Sequence, residues 1–158
     1  MRTGPALLFD LDGTLINTLT TGSYPAASIQ KIDEAAGVVF YTAFSDANPL
    51  NTQLHRVGLD GKGQMRLTRE PLNHTARISP DGKWFITEYE SVDTPPTTAL
   101  YDTQGHRIAT LAQSDTSQLR KLDLQKPELF HFKADDGKTD IYGVLYKPSH
   151  FDKSRKYP

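Results

Sequence analysis

Apolar and polar residues alternate with a period of two over most of the chain, and turn-forming residues interrupt the alternation every few positions. That pattern predicts short strands rather than amphipathic helices. Residues 6–10 and 15–20 read as two strands joined at 11–14, where Asp12-Gly13 is a hairpin signal. After a loop at 22–25, Ile29-Gln30-Lys31-Ile32, a turn at 33–37 and the β-branched and aromatic run Val38–Phe44 read as a strand pair. A longer loop with Asn48-Pro49 leads to strands around 53–57 and 64–68, separated by Leu59-Asp60-Gly61. The plan then repeats over 75–79, the turn Pro80-Asp81-Gly82-Lys83, 84–91, a loop at 92–96, 97–102 and 107–112.

The repetition extends to particular residues. Leu11-Asp12-Gly13 returns as Leu59-Asp60-Gly61, and Leu19-Thr20 as Leu67-Thr68, both 48 positions on (59 − 11, 67 − 19). Leu8, Phe9, Asp10, Gly13, Thr18 and Leu19 return as Leu100, Tyr101, Asp102, Gly105, Thr110 and Leu111, 92 positions on (100 − 8). Gly37, Phe40, Thr42 and Phe44 match Gly82, Phe85, Thr87 and Tyr89 at an offset of 45 (82 − 37). Four short strands in each period, with turn signals between them, predict β-propeller blades rather than a sandwich or a βα alternation. The expected fold is all-β: an incomplete β-propeller of about two and a half four-stranded blades. Residues 1–22 would be a half blade, 23–70 and 71–114 whole blades, and 115–158 a linker and a β-hairpin. Within that last segment, 116–122 allows one or two helical turns and Pro127 stops them. Two alternating runs, 128–134 and 139–147, are closed at Asp135-Asp136-Gly137-Lys138. The polar, basic end at Tyr157-Pro158 closes no element, as expected of a truncated chain.

With 158 residues, 37% hydrophobic and 23% charged, the composition is that of a soluble globular chain and not of a disordered one. The formal net charge of −1, without a Lys/Arg block, provides no electrostatic ground for a nucleic-acid or anionic-membrane partner. No apolar run approaches the length of a membrane span, and Asp10 and Asp12 interrupt the apolar stretch where a signal peptide would stay apolar. Zero cysteines exclude disulfides, thiol catalysis and cysteine metal sites. The histidines at 55, 74, 106, 131 and 150 lack metal-ligand spacing, so no metal or other cofactor is expected. Asn73-His74-Thr75 matches a glycosylation acceptor, a motif frequent by chance. Trp84, Phe85 and Tyr89 alternate within one strand, as packing between blades would require.

Two family resemblances compete. Asp10-Leu11-Asp12-Gly13-Thr14 after an apolar run resembles the first motif of the haloacid-dehalogenase-like phosphatases. That likeness would make Asp10 a nucleophile and Asp12 a general acid/base, both near Mg²⁺. The repeats argue against it. Asp10 corresponds to Gly58 and then Asp102, Asp12 to Asp60 and then Gln104, so neither carboxylate is needed by the repeating unit and a turn accounts for both. The chain after Gly22 also lacks the helix–strand alternation such an enzyme needs.

From about Leu19 to Pro158 the chain resembles the dipeptidyl peptidase IV-like branch of the prolyl oligopeptidase serine peptidases. The stretch Tyr146-Lys147-Pro148-Ser149-His150-Phe151-Asp152-Lys153-Ser154-Arg155-Lys156-Tyr157-Pro158 carries most of the likeness, being similar to the lead-in to that family's α/β-hydrolase core. The hairpin over 128–147 would then open a hydrolase domain absent from this sequence. The resemblance implies a serine exopeptidase that releases N-terminal dipeptides after Pro or Ala, with the propeller gating access to a buried site. Its Ser-Asp-His triad would lie outside these residues, since no G-x-S-x-G occurs here. The paired glutamates that bind the substrate's amino group in the family have no counterpart here; Glu88 and Glu90 are two apart and stay unassigned. Catalytic residues are therefore expected to be absent, the partner of the parent enzyme is a peptide, and a periplasmic or extracellular parent is compatible with the likeness. A few unclosed blades leave faces without neighbours, and Val38–Phe44 is uncharged and β-prone, so self-association is expected. The remaining alternative is a non-catalytic propeller module that binds protein partners.

Overall fold

A computed structural model describes residues 7–9, 15–20, 26–44 and 50–157. The described residues are antiparallel β-structure with one short helix. β1 (Leu7–Phe9) pairs with β2 (Leu15–Thr18), with an irregular register between Leu8 and Phe9. β3 (Ala26–Asp33), β4 (Val38–Phe44), β5 (Thr52–Gly58) and β6 (Met65–Arg66) then form a four-stranded sheet in chain order. β7 (Asn73–Ile78), β8 (Trp84–Ser91), β9 (Thr94–Asp102) and β10 (Arg107–Gln113) form a second sheet of the same plan. The strands predicted at 38–44 and 84–91 appear with those bounds, whereas the strand expected at 97–102 begins three residues earlier, through Pro95-Pro96.

Two compact units can be distinguished. One runs to Tyr89 and resumes over Thr97–Ala112; the other comprises Glu90–Pro96 and Gln113 onward. In the first, each sheet has a rear face and a front face, and the front face of the first sheet meets the rear face of the second. Phe40, Leu54 and Leu67 pack there with Ala76, Phe85, Tyr89, Ala99 and Tyr101. Phe85 and Tyr101 stack with ring centroids 5.1 Å apart. The rear face of the first sheet, Val39, Tyr41, Ala43 and Val57, buries Leu19 instead.

This arrangement corrects the offset of 45. Phe40 faces forward and Phe85 faces rearward, so the two matched phenylalanines lie on opposite faces of their sheets. The structural offset is 46. Asp33 opposite Val38 closes the first turn, and the Ser79 N–H donates to the Trp84 carbonyl across the second (79 − 33 and 84 − 38). The turn glycines, Gly37 at φ 65° and Gly82 at φ 68°, are only 45 apart, because the glycine is the last residue of the first turn and the penultimate one of the second. One residue in a turn exchanges the faces of the strand that follows. Val39 thus corresponds to Phe85 (85 − 39), Phe40 to Ile86 (86 − 40) and Leu54 to Leu100 (100 − 54).

The interface also carries polar ties. The Lys31 ammonium donates to the carbonyls of Ser79 (3.1 Å) and Pro80, and the Arg56 guanidinium donates to Gln104 Oε1 at 3.0 Å. Gly105, at φ 84°, abuts the linker; a Cβ there would lie 2.7 Å from the Leu67 carbonyl oxygen.

β4, singled out as an aggregation hazard, is the covered centre of its sheet: residues 39–43 are all buried. Uncovered apolar side chains lie on β3 (Ile29 and Ile32), on the front face of the second sheet, and in the second unit around its short helix and on its hairpin. There, α1 (Ser117–Lys121) precedes β11 (Glu128–Lys133) and β12 (Asp140–Leu145), paired from Glu128 opposite Leu145 to Lys133 opposite Asp140. Asp136 closes the hairpin by accepting from the backbone N–H groups of Lys138 and Thr139, both at 2.8 Å. The ring of Phe130 lies over Gly143, filling the place of a side chain. Leu129, Phe132, Ile141 and Val144 remain exposed.

Candidate functional site

Asp10 and Asp12 lie outside the described residues. The architecture the phosphatase reading requires is not present among the described residues: one five-residue helix and antiparallel sheets replace an alternation of helices and parallel strands. Glu88 and Glu90 are exposed on β8. No group of three potential metal ligands occurs among the described residues. The side-chain oxygen of Asn73 accepts from Thr52 N (3.0 Å) and Thr52 Oγ1 (2.8 Å), so the sequon's asparagine is engaged in holding β5 to β7. The aromatic trio divides: Phe85 and Tyr89 are buried, and Trp84, on the other face, is 43% exposed.

Two features stand out instead. The first is a cluster of buried polar side chains around the linker from β6 to β7. Its five consecutive carbonyls at 68–72 all accept from side chains. Arg66 donates to Thr68, Arg69 and Glu70; Gln53 Nε2 donates to Leu72 at 2.7 Å and, more weakly, to Glu70; Asn51 Nδ2 donates to Pro71 at 3.1 Å. His74 Nε2 adds a further contact to the Glu70 carbonyl at 3.3 Å, and its Nδ1 lies 3.1 Å from Thr87 Oγ1. The Tyr101 hydroxyl donates to Glu70 Oε1 at 2.9 Å, while Glu70 Oε2 is buried without a hydrogen bond, 4.0 Å from His74 Nε2. Thr68 closes the chain by donating to Gln53 Oε1 at 2.6 Å and accepting from Leu54 N at 3.1 Å.

Burial sets the protonation of this cluster. It pushes His74 down to about 4, with Arg66 adding to the effect and the Glu70 carbonyl and carboxylate opposing it. His55, stacked on Tyr41 at 5.3 Å, is pushed to about 4 by burial and then by Arg66. Burial raises the Glu70 carboxyl, but hydrogen bonds from its own backbone N–H and from Tyr101, with His74 nearby, outweigh it and hold the carboxyl below its ordinary range. Tyr101 is pushed up by burial and by its bond to Glu70. With His74 at 2% and Thr87 at 0% exposure, no substrate reaches a nucleophile here. The cluster is a joint between sheets. Sequence reasoning passed over it because its members are far apart in the chain. The available signal was polar residues at inward positions: His74 beside Ala76, and Thr87 between Phe85 and Tyr89.

The second feature is the front face of the β7–β10 sheet, a hollow of about 500 Å³ lined by Arg77, Pro80, Trp84, Ile86, Leu100 and Ile108 among others. Its positions correspond to those that the first sheet uses to receive its neighbour: Phe40 to Ile86, Leu54 to Leu100, Lys31 to Arg77 (77 − 31).

The chain is 29% identical over 135 residues to mouse dipeptidyl peptidase 8 and 27% identical over 141 residues to its human counterpart, covering 80% and 81% of this chain but 15% of each relative. It superposes on the crystal structure of Porphyromonas gingivalis dipeptidyl peptidase 4 with a TM-score of 0.78 at 23% identity, covering 96% of this chain and 22% of that one. The sequence thus spans between a seventh and a quarter of the length of these proteins. Residues 7–96 match the family described as the dipeptidyl peptidase IV (DPP IV) N-terminal region, and because that match takes in more than half of the sequence, the chain belongs to this family.

Proposed function

We propose that these residues form part of the β-propeller that gates the active site of a serine exopeptidase releasing N-terminal dipeptides after Pro or Ala. On this reading 1–22 is a half blade, 23–70 and 71–114 are blades, and 115–158 is the linker and the opening hairpin of an α/β-hydrolase domain. The observation that carries the reading is the order of the faces. The front of one sheet meets the rear of the next, so the contact is heterologous, and repetition of such a contact about an axis generates a ring. The front face of β7–β10 leaves Trp84, Ile86 and Ile108 exposed among the described residues and has the same character, which supports a further blade packing there. On this reading neither Asp10 nor Asp12 serves a phosphatase, and Glu88 and Glu90 stay unassigned.

The role follows from packing. A ring of blades encloses a channel whose width limits what reaches a hydrolase domain seated on it. The peptide substrate would be bound and cut by groups outside these residues, with no cofactor. The test is a polypeptide from the full reading frame that contains this sequence, assayed with dipeptidyl-Pro and dipeptidyl-Ala chromogenic substrates. Cleavage is expected from the long form and none from residues 1–158. Phosphate-ester turnover by 1–158 that needs Mg²⁺ and disappears in Asp10→Asn would overturn the reading.

A further inference from the structure

We propose that the joint between the two sheets, the linker 67–72 held by His74, is acid-sensitive: it is closed while His74 is neutral and released when that ring takes up a proton. The geometry carries the argument. His74 is 2% exposed, and each ring nitrogen has one defined role. Nε2–H donates to the Glu70 carbonyl, which leaves Nδ1 to accept from the Thr87 hydroxyl. Thr87 Oγ1 also lies 3.2 Å from the Thr75 carbonyl, so its single proton is already contested.

A proton added at Nδ1 replaces an accepted hydrogen bond with a donated one and places a cation in a closed space. The groups around that space are of mixed charge. Arg66, at the end of β6, is positive and repels it; Glu70, in the linker, is negative, but its nearer oxygen, Oε2, is 4.0 Å away and its other oxygen is held by Tyr101 of β9. From β8 come the Thr87 hydroxyl and the Tyr89 ring, whose centroid is 5.3 Å from that of His74. Arg107 of β10 lies on the Tyr101 side. One carboxylate at 4.0 Å, the outer limit of an ion pair, does not offset the lost hydration of an imidazolium that Arg66 also repels. Release lets the ring be solvated, and it frees the Glu70 carbonyl and the linker with it. The other ties to the linker, from Gln53, Asn51 and Arg66, do not pass through the histidine ring, so acid loosens the joint without removing it.

The experiment is hydrogen exchange of residues 67–76 in the 158-residue chain at pH 7.5 and pH 5, corrected for the intrinsic pH dependence of exchange. A ring that titrates near 6.5 when released and near 4 when held makes opening roughly 25-fold more frequent at pH 5 than at pH 7.5. His74→Gln, whose amide can still donate to the Glu70 carbonyl, should abolish that rise, and His55→Gln should leave it in place. A parallel titration of the histidine ring resonances in the unsubstituted chain should show His74 as the Nε2–H tautomer at pH 7.5. Equal corrected exchange at the two pH values in the unsubstituted chain would overturn the proposal whether or not either variant folds. So would a rise that survives in His74→Gln or that vanishes in His55→Gln.

Discussion

The two four-stranded sheets share one plan and differ in how many neighbours they have. In β4 five consecutive side chains are buried, because one face packs on the next sheet and the other covers Leu19. In β8 burial alternates strictly: Phe85, Thr87 and Tyr89 are inside, Trp84, Ile86 and Glu88 outside. The sequences differ accordingly. β4 is apolar on both faces, while β8 carries Glu88 and Glu90 among its outward positions. Yet Trp84, Ile86 and Ile108 remain apolar on the uncovered face, at 43%, 44% and 53% exposure. A strand designed for water on that side would carry polar groups there. The comparison indicates a sheet built to be covered, with its polar residues toward one end.

Core truncation should separate the two faces of β8 most sharply. Phe85→Ala removes a ring 1% exposed and should cost about 3–5 kcal/mol in denaturant unfolding, whereas Ile86→Ala on the open face should cost under about 1 kcal/mol. Equal losses would mean the front face is covered in solution.

Acid should act next most strongly, through the buried histidines of both sheets. His55 and His74 are held near 4 against 6.5 when unfolded, so the unfolded chain binds more protons throughout that interval. Their contribution is complete above pH 6.5 and is lost as pH falls through 6.5 toward 4, by about 3 kcal/mol per ring at most. Melting temperature should fall over that window, and the double replacement by Gln should flatten the fall. A melting temperature that rises on acidification would contradict the burial of both rings.

The turns offer a smaller contrast. Gly105→Ala meets both a positive φ of 84° and the Leu67 carbonyl, and should cost about 2–3 kcal/mol; Gly37→Ala, at φ 65° with open space around it, should cost about 1 kcal/mol. Similar values would show that the second sheet yields at the linker. The smallest effect on stability belongs to Trp84→Ser with Ile86→Ser, within about 0.5 kcal/mol each. Sedimentation is expected to show self-association of the unsubstituted chain and less of it in this pair. Association that persists unchanged would exclude this face as the responsible surface.

Much of the fold was legible from local signals. Asp-Gly pairs at 60–61, 81–82 and 136–137 placed turns, β-branched and aromatic runs placed the strands, and Leu67-Thr68, repeating Leu19-Thr20, proved buried in both copies. The third copy differs: Leu111 is 52% exposed. The joint around Glu70 was not legible, since Gln53, Glu70, His74, Thr87 and Tyr101 come from four strands and a linker, and no spacing joins them. A polar residue at an inward position was the only trace of it.

What the sequence determined by itself is therefore periodicity: how many strands there are, where they turn, and that the unit recurs. These depend on backbone preferences and side-chain alternation, which act over a few residues. Only the tertiary structure decided which face each strand presents. Phe40 and Phe85 occupy matching places after matching glycines, yet a turn whose glycine is shifted by one position sends one ring forward and the other rearward. Side-chain direction alternates at every residue along a strand, so one unit of register inverts it, and register is settled where the strands pair and the sheets pack.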